Sequence, residues 1–256
     1  MKVNILHFSG TGNTKYVADY LGEKLVNTGH DVKINGIDTN PTIDEDVELL
    51  ILGGPIYAGN VPEKMIRWIL RNIKNKNANC IVYSTSAGLK NANGVDSLAK
   101  KLDKKGYNIL AKETYVMPRN FYFGKYPKNT TQEVNDMIKN TNKQMDILVD
   151  RLNKGKLYLA DTENKGVLGK DLLAETFSVM AKFMGKNFSV DEDCVKCGIC
   201  VKNCPEKNII FDDNKEIKFL NKCMLCTRCI HNCPKNAINY KNNKYAQYNL
   251  NSYIKK

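Results

Sequence analysis

Residues 1–152 alternate between short apolar runs and longer segments that carry a periodic apolar face. The short runs predict β-strands, because glycine or polar turn residues follow them closely. We place five strands at 3–8, 32–34, 49–52, 80–83 and 108–116. The periodic segments predict helices at 13–25, 62–70, 95–102 and about 134–152. Strands that alternate with helices predict an α/β fold with a parallel sheet covered on both faces.

The pattern changes after residue 152. Residues 153–187 are interpreted as a linker, polar and turn-rich at first and then helical at 172–184. Residues 188–240 contain most of the cysteines and are interpreted as a separate small domain. Residues 241–256 form a C-terminal tail rich in Asn, Lys and Tyr, which we expect to be partly ordered at best.

Eight of the nine cysteines fall into two copies of one spacing, Cys-x2-Cys-x2-Cys-x3-Cys-Pro. The copies are Cys194, Cys197, Cys200 and Cys204, then Cys223, Cys226, Cys229 and Cys233. This spacing is typical of four-iron clusters. Structural zinc would favour two separated Cys-x2-Cys pairs, and disulfides would need an oxidising compartment. The pattern therefore favours two [4Fe-4S] clusters over either alternative.

The two motifs resemble the module of bacterial dicluster ferredoxins. The resemblance covers about residues 188–240 and implies a small α+β domain. It also implies that the fourth cysteine of each motif binds the other cluster. One cluster would then be bound by Cys194, Cys197, Cys200 and Cys233, and the other by Cys204, Cys223, Cys226 and Cys229.

A loop of glycines and hydroxyl residues separates the first strand from the first helix. It consists of Ser9, Gly10, Thr11, Gly12, Asn13 and Thr14. The glycines let backbone N–H groups approach an anion, the hydroxyls donate hydrogen bonds, and the helix adds its positive end. The loop matches neither a dinucleotide fingerprint nor a nucleoside-triphosphate loop. It predicts a phosphate site, although an ordinary turn would favour the same residue types.

This loop resembles the phosphate loop of the flavodoxin family. The resemblance covers about the first 150 residues and implies a doubly wound five-stranded sheet of order 2-1-3-4-5 that binds FMN at its switch point. Two further loops would then flank the flavin ring. The first consists of Pro55, Ile56, Tyr57, Ala58, Gly59 and Asn60, and the second of Ser84, Thr85, Ser86, Ala87 and Gly88. Both lack acidic residues that typical flavodoxins often carry there.

An aromatic-rich segment, residues 117–126, follows the fifth predicted strand. It could close over the flavin, which would make Asn120 and Tyr122 cofactor contacts. Alternatively, its rings pack between the two domains, since aromatic side chains dominate both cores and interfaces. The residue types do not decide between these two interpretations.

Charge and remaining composition exclude several function classes. The formal net charge of +12 suggests nucleic acid, but the lysines are spread along the chain. Two clusters and a flavin phosphate would reduce the charge to about +6. We therefore expect no nucleic-acid or membrane partner, and no apolar run is long enough to span a bilayer. Many thiols and no signal peptide favour a reducing, cytoplasmic compartment.

Two single residues are given structural interpretations. Cys80 is interpreted as a buried structural thiol, and His231 as a surface residue.

The order of the two predicted domains resembles a family of flavodoxin–ferredoxin fusion proteins found mainly in anaerobic bacteria. The resemblance implies a relay of electrons between FMN and the clusters, with other redox proteins as donors and acceptors. An FMN-dependent reductase of a quinone-like acceptor is the main alternative, and a redox sensor is a third. A defined pocket under Tyr122 would favour the reductase.

Overall fold

The computed structural model describes residues 1–73, 78–88, 94–123, 126–157 and 170–254, and the side chains of 170–175 lie outside this description. The chain divides into two compact units. The first unit comprises Met1–Pro118 and Thr130–Ala174. The second comprises Arg119–Asn129 and Glu175–Lys256. The aromatic segment after the fifth strand therefore belongs to the second unit from Arg119 onwards, although the chain before and after Arg119–Asn129 belongs to the first.

The first unit is built on a five-stranded parallel sheet. Its strands are β1 (Lys2–His7), β2 (Asp31–Gly36), β3 (Leu49–Pro55), β4 (Asn79–Ser86) and β5 (Asn108–Val116). Its helices are α1 (Asn13–Asn27), α2 (Glu63–Asn72), α3 (Gly94–Asp103) and α4 (Thr131–Asn153). The strand order β2-β1-β3-β4-β5 confirms the predicted order. Strand 1 lies between strands 2 and 3, so the loops that follow β1 and β3 meet at the switch point of the sheet.

The core of this unit lies along the two central strands. Every residue of β3 from Leu49 to Gly54 and every residue of β4 from Cys80 to Ser86 is buried. Strand β5 is an edge strand, and its Lys112 forms an ion pair with Asp96 of α3 at 2.8 Å. Charged residues are tolerated at such an edge because one side of the strand is not covered by another strand.

Three strands end later than the sequence analysis predicted. Strand β2 continues to Gly36, β3 to Pro55 and β4 to Ser86. The added residues pair in the parallel ladder: Gly36 with His7, Gly54 with Ser84 and Pro55 with Thr85. The prediction ended these strands where the apolar residues end. The correct boundary depends on pairing with neighbouring strands, which satisfies the backbone regardless of side-chain polarity.

The second unit contains two small antiparallel sheets and short helices. Helix α5 (Lys170–Met184) leads into it, and the sheets pair β6 (Phe188–Val190) with β9 (Ile238–Tyr240) and β7 (Ile209–Phe211) with β8 (Ile217–Phe219). The cysteine loops lead into α6 (Ile199–Asn203) and α7 (Arg228–His231). Its core cluster consists of Ala181, Phe188, Leu225, Ile230, Ile238 and Tyr240.

The C-terminal tail is more ordered than predicted. Tyr248 and Leu250 are buried, and the backbone N–H of Tyr248 donates to Nδ1 of His231 at 2.9 Å. No helix in the described part of the chain is both long and apolar enough to cross a bilayer.

Candidate functional site

The predicted phosphate loop lies between β1 and α1, at the edge of the sheet where the strands end. Gly12 immediately precedes α1 with φ 108°, a left-handed conformation that favours glycine, and its N–H donates to Ser9 Oγ at 3.1 Å. Ser9, Thr11 and Gly12 are half-buried, whereas Asn13 and Thr14 are buried in the first turn of α1. Hydroxyls and backbone amides thus surround the positive end of a 15-residue helix.

Buried hydrogen bonds fix the first turn of α1 to the strands beneath it. The Thr14 and Thr85 hydroxyls lie 2.8 Å apart, and the Tyr83 hydroxyl donates to the Thr14 carbonyl at 3.0 Å. The Asn13 side-chain amide donates to the Pro118 carbonyl at 2.8 Å. Thr14 and Thr85, predicted for two different loops, are therefore brought together. Tyr83 was missed, because its contribution depends on a strand register that the sequence does not show.

Gly53 and Gly54 of β3 make room for side chains of the same unit. A Cβ on Gly53 would lie 1.8 Å from Cζ of Tyr83, and a Cβ on Gly54 would lie 2.5 Å from Sδ of Met65. The two glycines therefore let Tyr83 and Met65 pack closely against the backbone of β3.

The loop after β3 is a tight turn. The N–H of Tyr57 donates to the Asn60 carbonyl at 2.8 Å, and the reverse bond measures 3.2 Å. Ala58 and Gly59 between them both have positive φ, 49° and 92°. The N–H of Ile56 donates to the Thr85 carbonyl at 2.9 Å, which ties this turn to β4. All residues from Pro55 to Asn60 are half-buried, so the turn exposes part of each residue at the same sheet edge.

The second predicted flanking loop is shorter than expected. Ser84, Thr85 and Ser86 are buried residues of β4, and Ser84 Oγ lies 3.1 Å from the Thr114 hydroxyl of β5. Only Ala87 and Gly88 extend beyond the strand, and both are exposed. Direct flavin contacts of the three hydroxyl residues remain a prediction. The Thr85 hydroxyl has the established partner described above.

Asn120 and Tyr122 pack within the second unit. The Asn120 carbonyl accepts from Nε2 of His231 at 2.7 Å, and the buried Tyr122 ring meets the His231 ring edge-on at a centroid distance of 6.1 Å. Phe123 stacks on Tyr240 at 4.3 Å. The predicted cofactor contacts of Asn120 and Tyr122 stay untested. Part of the aromatic segment, residues 124–125, lies outside the described residues.

The donor set at the α1 loop fits the phosphate of FMN. A phosphate dianion needs several donors and positive potential. The loop supplies half-buried hydroxyls and the helix N-terminus, and its left-handed Gly12 has open space beside it, because no heavy atom lies within 4 Å of a built Cβ. The half-buried turn at 55–60 lies at the same edge of the sheet.

Four cysteines line one hollow in the second unit. The hollow is partly open to solvent. Its sulfur-bearing lining residues are Cys194, Cys197, Cys200 and Cys233. Three belong to the first motif and the fourth to the second, as the dicluster resemblance implies. The other lining residues are mostly apolar, and the two charged ones are Lys196 and Lys235.

The remaining four cysteines lie near one another in a more buried place. The pKa of Cys223 is raised to about 12, mainly by burial. The hydrogen bond from the Leu225 N–H lowers it in part, and the nearby sulfurs of Cys226 and Cys204 make small contributions that raise it. Burial also raises the pKa of Cys229 well above its ordinary value, again with a smaller contribution from these sulfurs. Cys204 of the first motif is therefore a neighbour of the second motif. Iron binding there must release thiol protons.

The two motifs share an unusual backbone. Residues at equivalent positions adopt positive φ in both copies: Lys196 and Leu225, Gly198 and Thr227, Lys207 and Asn236. Left-handed residues in a loop turn successive backbone N–H groups towards one centre, which creates an anion-binding concavity. Lys and Leu rarely adopt this conformation, and such strain is concentrated at functional sites.

Backbone amides also reach the sulfurs. The N–H of Asn208 donates to Cys204 Sγ at 3.2 Å, and the N–H of Ala237 donates to Cys233 Sγ at 3.3 Å, at equivalent positions of the two copies. Hydrogen bonds of this type help to set the reduction potential of an iron–sulfur cluster. Among the described residues, no three His, Cys, Asp or Glu side chains lie close enough to bind a single metal ion. The thiols surround a volume instead, and this arrangement fits a cluster.

Two further predictions about single residues have different outcomes. Cys80 is fully buried in β4, and burial raises the pKa of its thiol. It is the inert structural thiol that the sequence predicted. His231 is half-buried and not a plain surface residue, because both of its ring nitrogens are hydrogen-bonded, to Asn120 and Tyr248. The sequence interpretation failed because neither partner is close to His231 in the chain.

Comparisons with known proteins identify two domains in this chain. A family model described as flavodoxin domain matches residues 4–146, and a model described as 4Fe-4S dicluster domain matches residues 186–246. The curated proteins gave no match to this chain. The matches confirm the domain order that the sequence predicted, and with it FMN and iron–sulfur clusters as cofactors.

Several solved structures are similar to the first unit. A flavodoxin from Fusobacterium nucleatum bound to flavin mononucleotide is 17% identical with a TM-score of 0.44, and the match covers 60% of this chain and 98% of that one. An oxidised flavodoxin 1 from Bacillus cereus is 18% identical with a TM-score of 0.42, covering 57% and 97%. A rubredoxin oxygen:oxidoreductase from Desulfovibrio gigas is 16% identical with a TM-score of 0.36, covering 57% and 36%.

Proposed function

This chain belongs to the flavodoxin domain family, and we propose that it relays electrons between FMN and two [4Fe-4S] clusters, and from these to other redox proteins. A redox role in electron transfer follows from the two domains themselves. The finer proposal is that the two kinds of cofactor exchange electrons within one polypeptide. FMN supplies one- or two-electron chemistry when bound, and each cluster supplies single-electron steps.

The observation that supports the proposal is that one chain contains a loop suited to a flavin phosphate in its first unit and two groups of four cysteines in its second. In the first unit, the loop Ser9–Thr14 and the turn at 55–60 would bind and orient FMN. In the second unit, Cys194, Cys197, Cys200 and Cys233 would bind one cluster, and Cys204, Cys223, Cys226 and Cys229 the other. The chain also passes between the units three times, after Pro118, Asn129 and Ala174.

The residues around these sites position and tune the cofactors. Backbone N–H groups donate to Cys204, Cys223 and Cys233 and stabilise negative charge on the sulfurs. Buried apolar residues such as Leu225 and Ile230 exclude water from the second motif. Tyr122, under which a substrate pocket would have favoured a reductase, is buried against His231. We therefore retain the relay as the proposed function.

Anaerobic stopped-flow reduction tests the relay. Holo protein receives less than one electron per chain from dithionite, and flavin and cluster absorbance are followed separately. A relay within one chain predicts that electrons redistribute between flavin and clusters at a rate independent of protein concentration. A redistribution rate proportional to protein concentration, or no redistribution, would contradict the proposal.

A further inference from the structure

Two side chains of β4 lie beneath the predicted phosphate loop. Tyr83 and Thr85 are alternate residues of the strand and therefore point to the same face of the sheet. Both contact Thr14, the second residue of α1: the Tyr83 hydroxyl donates to its carbonyl at 3.0 Å, and the Thr85 hydroxyl lies 2.8 Å from its hydroxyl. Tyr83 is fully buried, and the exposed fraction of Thr14 is 1%.

The Tyr83 ring crosses β3 to reach Thr14, and it can do so only because the residue of β3 at that point is a glycine. Gly53 of β3 is the register partner of Tyr83, and a Cβ there would lie 1.8 Å from Cζ and 2.2 Å from the hydroxyl oxygen of the ring. Burial raises the pKa of Tyr83 well above its ordinary value, so the hydroxyl is a neutral donor. A buried hydroxyl without a partner would be costly. The position of the first turn of α1 is therefore linked to this ring.

We propose that Tyr83 is a positioning residue for the phosphate site, which fixes the first turn of α1 so that its donors meet the phosphate of the flavin. The inference rests on the proposed function, because it assumes FMN at this loop. Gly12, Asn13 and the Thr11 hydroxyl directly precede or begin the turn that Tyr83 fixes. Binding groups held in place before the ligand arrives lose less free energy on binding. The contribution of Tyr83 should therefore depend on the phosphate.

The test compares FMN with riboflavin, which has the same ring system and lacks the phosphate. Flavin is removed from the full-length chain with its clusters retained, and the dissociation constants of both flavins are measured by fluorescence titration for wild type and for Tyr83→Phe. Tyr115→Phe is the matched control. Tyr115 is also fully buried and contacts the Tyr83 ring, but its hydroxyl has no hydrogen-bond partner among the described residues.

We expect Tyr83→Phe to weaken FMN binding by about fivefold to tenfold, the effect of one lost hydrogen bond, and to change riboflavin binding by less than about twofold. Tyr115→Phe should leave the ratio of the two constants unchanged. An unchanged FMN-to-riboflavin ratio in Tyr83→Phe would overturn the inference, whether both affinities fall together or neither falls. If wild type binds neither flavin, the proposed function fails instead.

A second variant covers the case in which Tyr83→Phe does not fold. Thr85→Val has nearly the same shape as threonine but removes the hydroxyl that contacts Thr14, while Thr85→Ser keeps it. The FMN-to-riboflavin affinity ratio should fall in Thr85→Val and stay close to wild type in Thr85→Ser. Equal ratios in the two variants would show that fixing Thr14 does not determine phosphate binding, and would also overturn the inference.

Discussion

The first unit presents its site at the edge of a parallel sheet whose central strands β3 and β4 are almost entirely buried. The second unit surrounds its thiols with two-stranded sheets of three residues per strand and a small core cluster. The first unit therefore has a core independent of any cofactor. In the second, cysteines such as Cys223, Cys229 and Cys233 pack directly against the core cluster. FMN would therefore bind to a unit that is already folded, whereas the clusters would form part of the core of the second unit.

Removal of iron should have the largest effect and act on the second unit alone. Small domains with little core depend on bound metal for much of their folding free energy. We expect an iron chelator under anaerobic conditions to abolish hydrogen-exchange protection in β6, β7, β8 and β9, with β1, β3 and β4 remaining protected. Protection that persists in β6 and β9 after complete iron removal would show that the second unit folds without its clusters, and would contradict this difference between the units.

Replacement of one ligand tests how the second unit is connected. Cys204→Ala should remove the cluster that is bound mainly by the second motif and reduce iron from about eight to about four per chain. Its electron paramagnetic resonance spectrum should match that of Cys223→Ala and differ from that of Cys194→Ala. Cys80→Ala is the control, because this thiol is buried in β4, and iron should not change. A Cys204→Ala spectrum like that of Cys194→Ala would reverse the ligand pairing.

Replacement of a glycine in the sheet tests whether the core of the first unit is stable without a cofactor. Gly53→Ala places a methyl group 1.8 Å from the Tyr83 ring, so we expect the free energy of unfolding to fall by about 3 kcal/mol. Gly36→Ala is the matched control in β2, where the nearest atom to the new methyl is 3.8 Å away. Its effect should be about 0.5 kcal/mol or less. Urea denaturation followed by far-ultraviolet circular dichroism measures both, and equal effects would contradict the packing described for Tyr83.

The smallest effect concerns backbone conformation at the two ends of α1. Gly12 and Gly29 have φ 108° and 87°, and no heavy atom lies within 4 Å of a built Cβ at either position. Each Gly→Ala change should therefore cost about 1 kcal/mol of stability through the left-handed backbone alone. Only Gly12→Ala should also weaken FMN binding, by about fivefold. Equal FMN affinities in the two variants would show that the phosphate does not bind at the loop before α1.

The sequence predicted the features that depend on residue type and spacing. The eight clustered cysteines, the glycine–hydroxyl loop and the alternation of strands with helices all follow from local patterns. The strand order was implied by the resemblance to flavodoxins, and the sheet confirms it. The predicted end of β4 was wrong because Ser84, Thr85 and Ser86 are polar, and that of β3 because glycine and proline are typical of turns. Pairing with neighbouring strands keeps both segments extended. Polarity was taken as a sign of a loop where the strand in fact continued.

Contacts between residues that are far apart in the chain could not be predicted from the sequence. Nothing in the residue types shows that Tyr83 crosses Gly53 to reach Thr14, or that His231 contacts Asn120 and Tyr248. The left-handed conformations of Lys196 and Leu225 were equally hidden, because neither residue type favours positive φ. Such conformations exist because the surrounding structure imposes them.

The most direct test of the account is the cofactor content of the full-length protein purified without oxygen. We predict about one FMN and about eight irons with eight acid-labile sulfides per chain, as two four-iron clusters require. Protein that binds zinc in place of iron, or that contains iron but binds no FMN, would contradict the central claim that one polypeptide contains both cofactors.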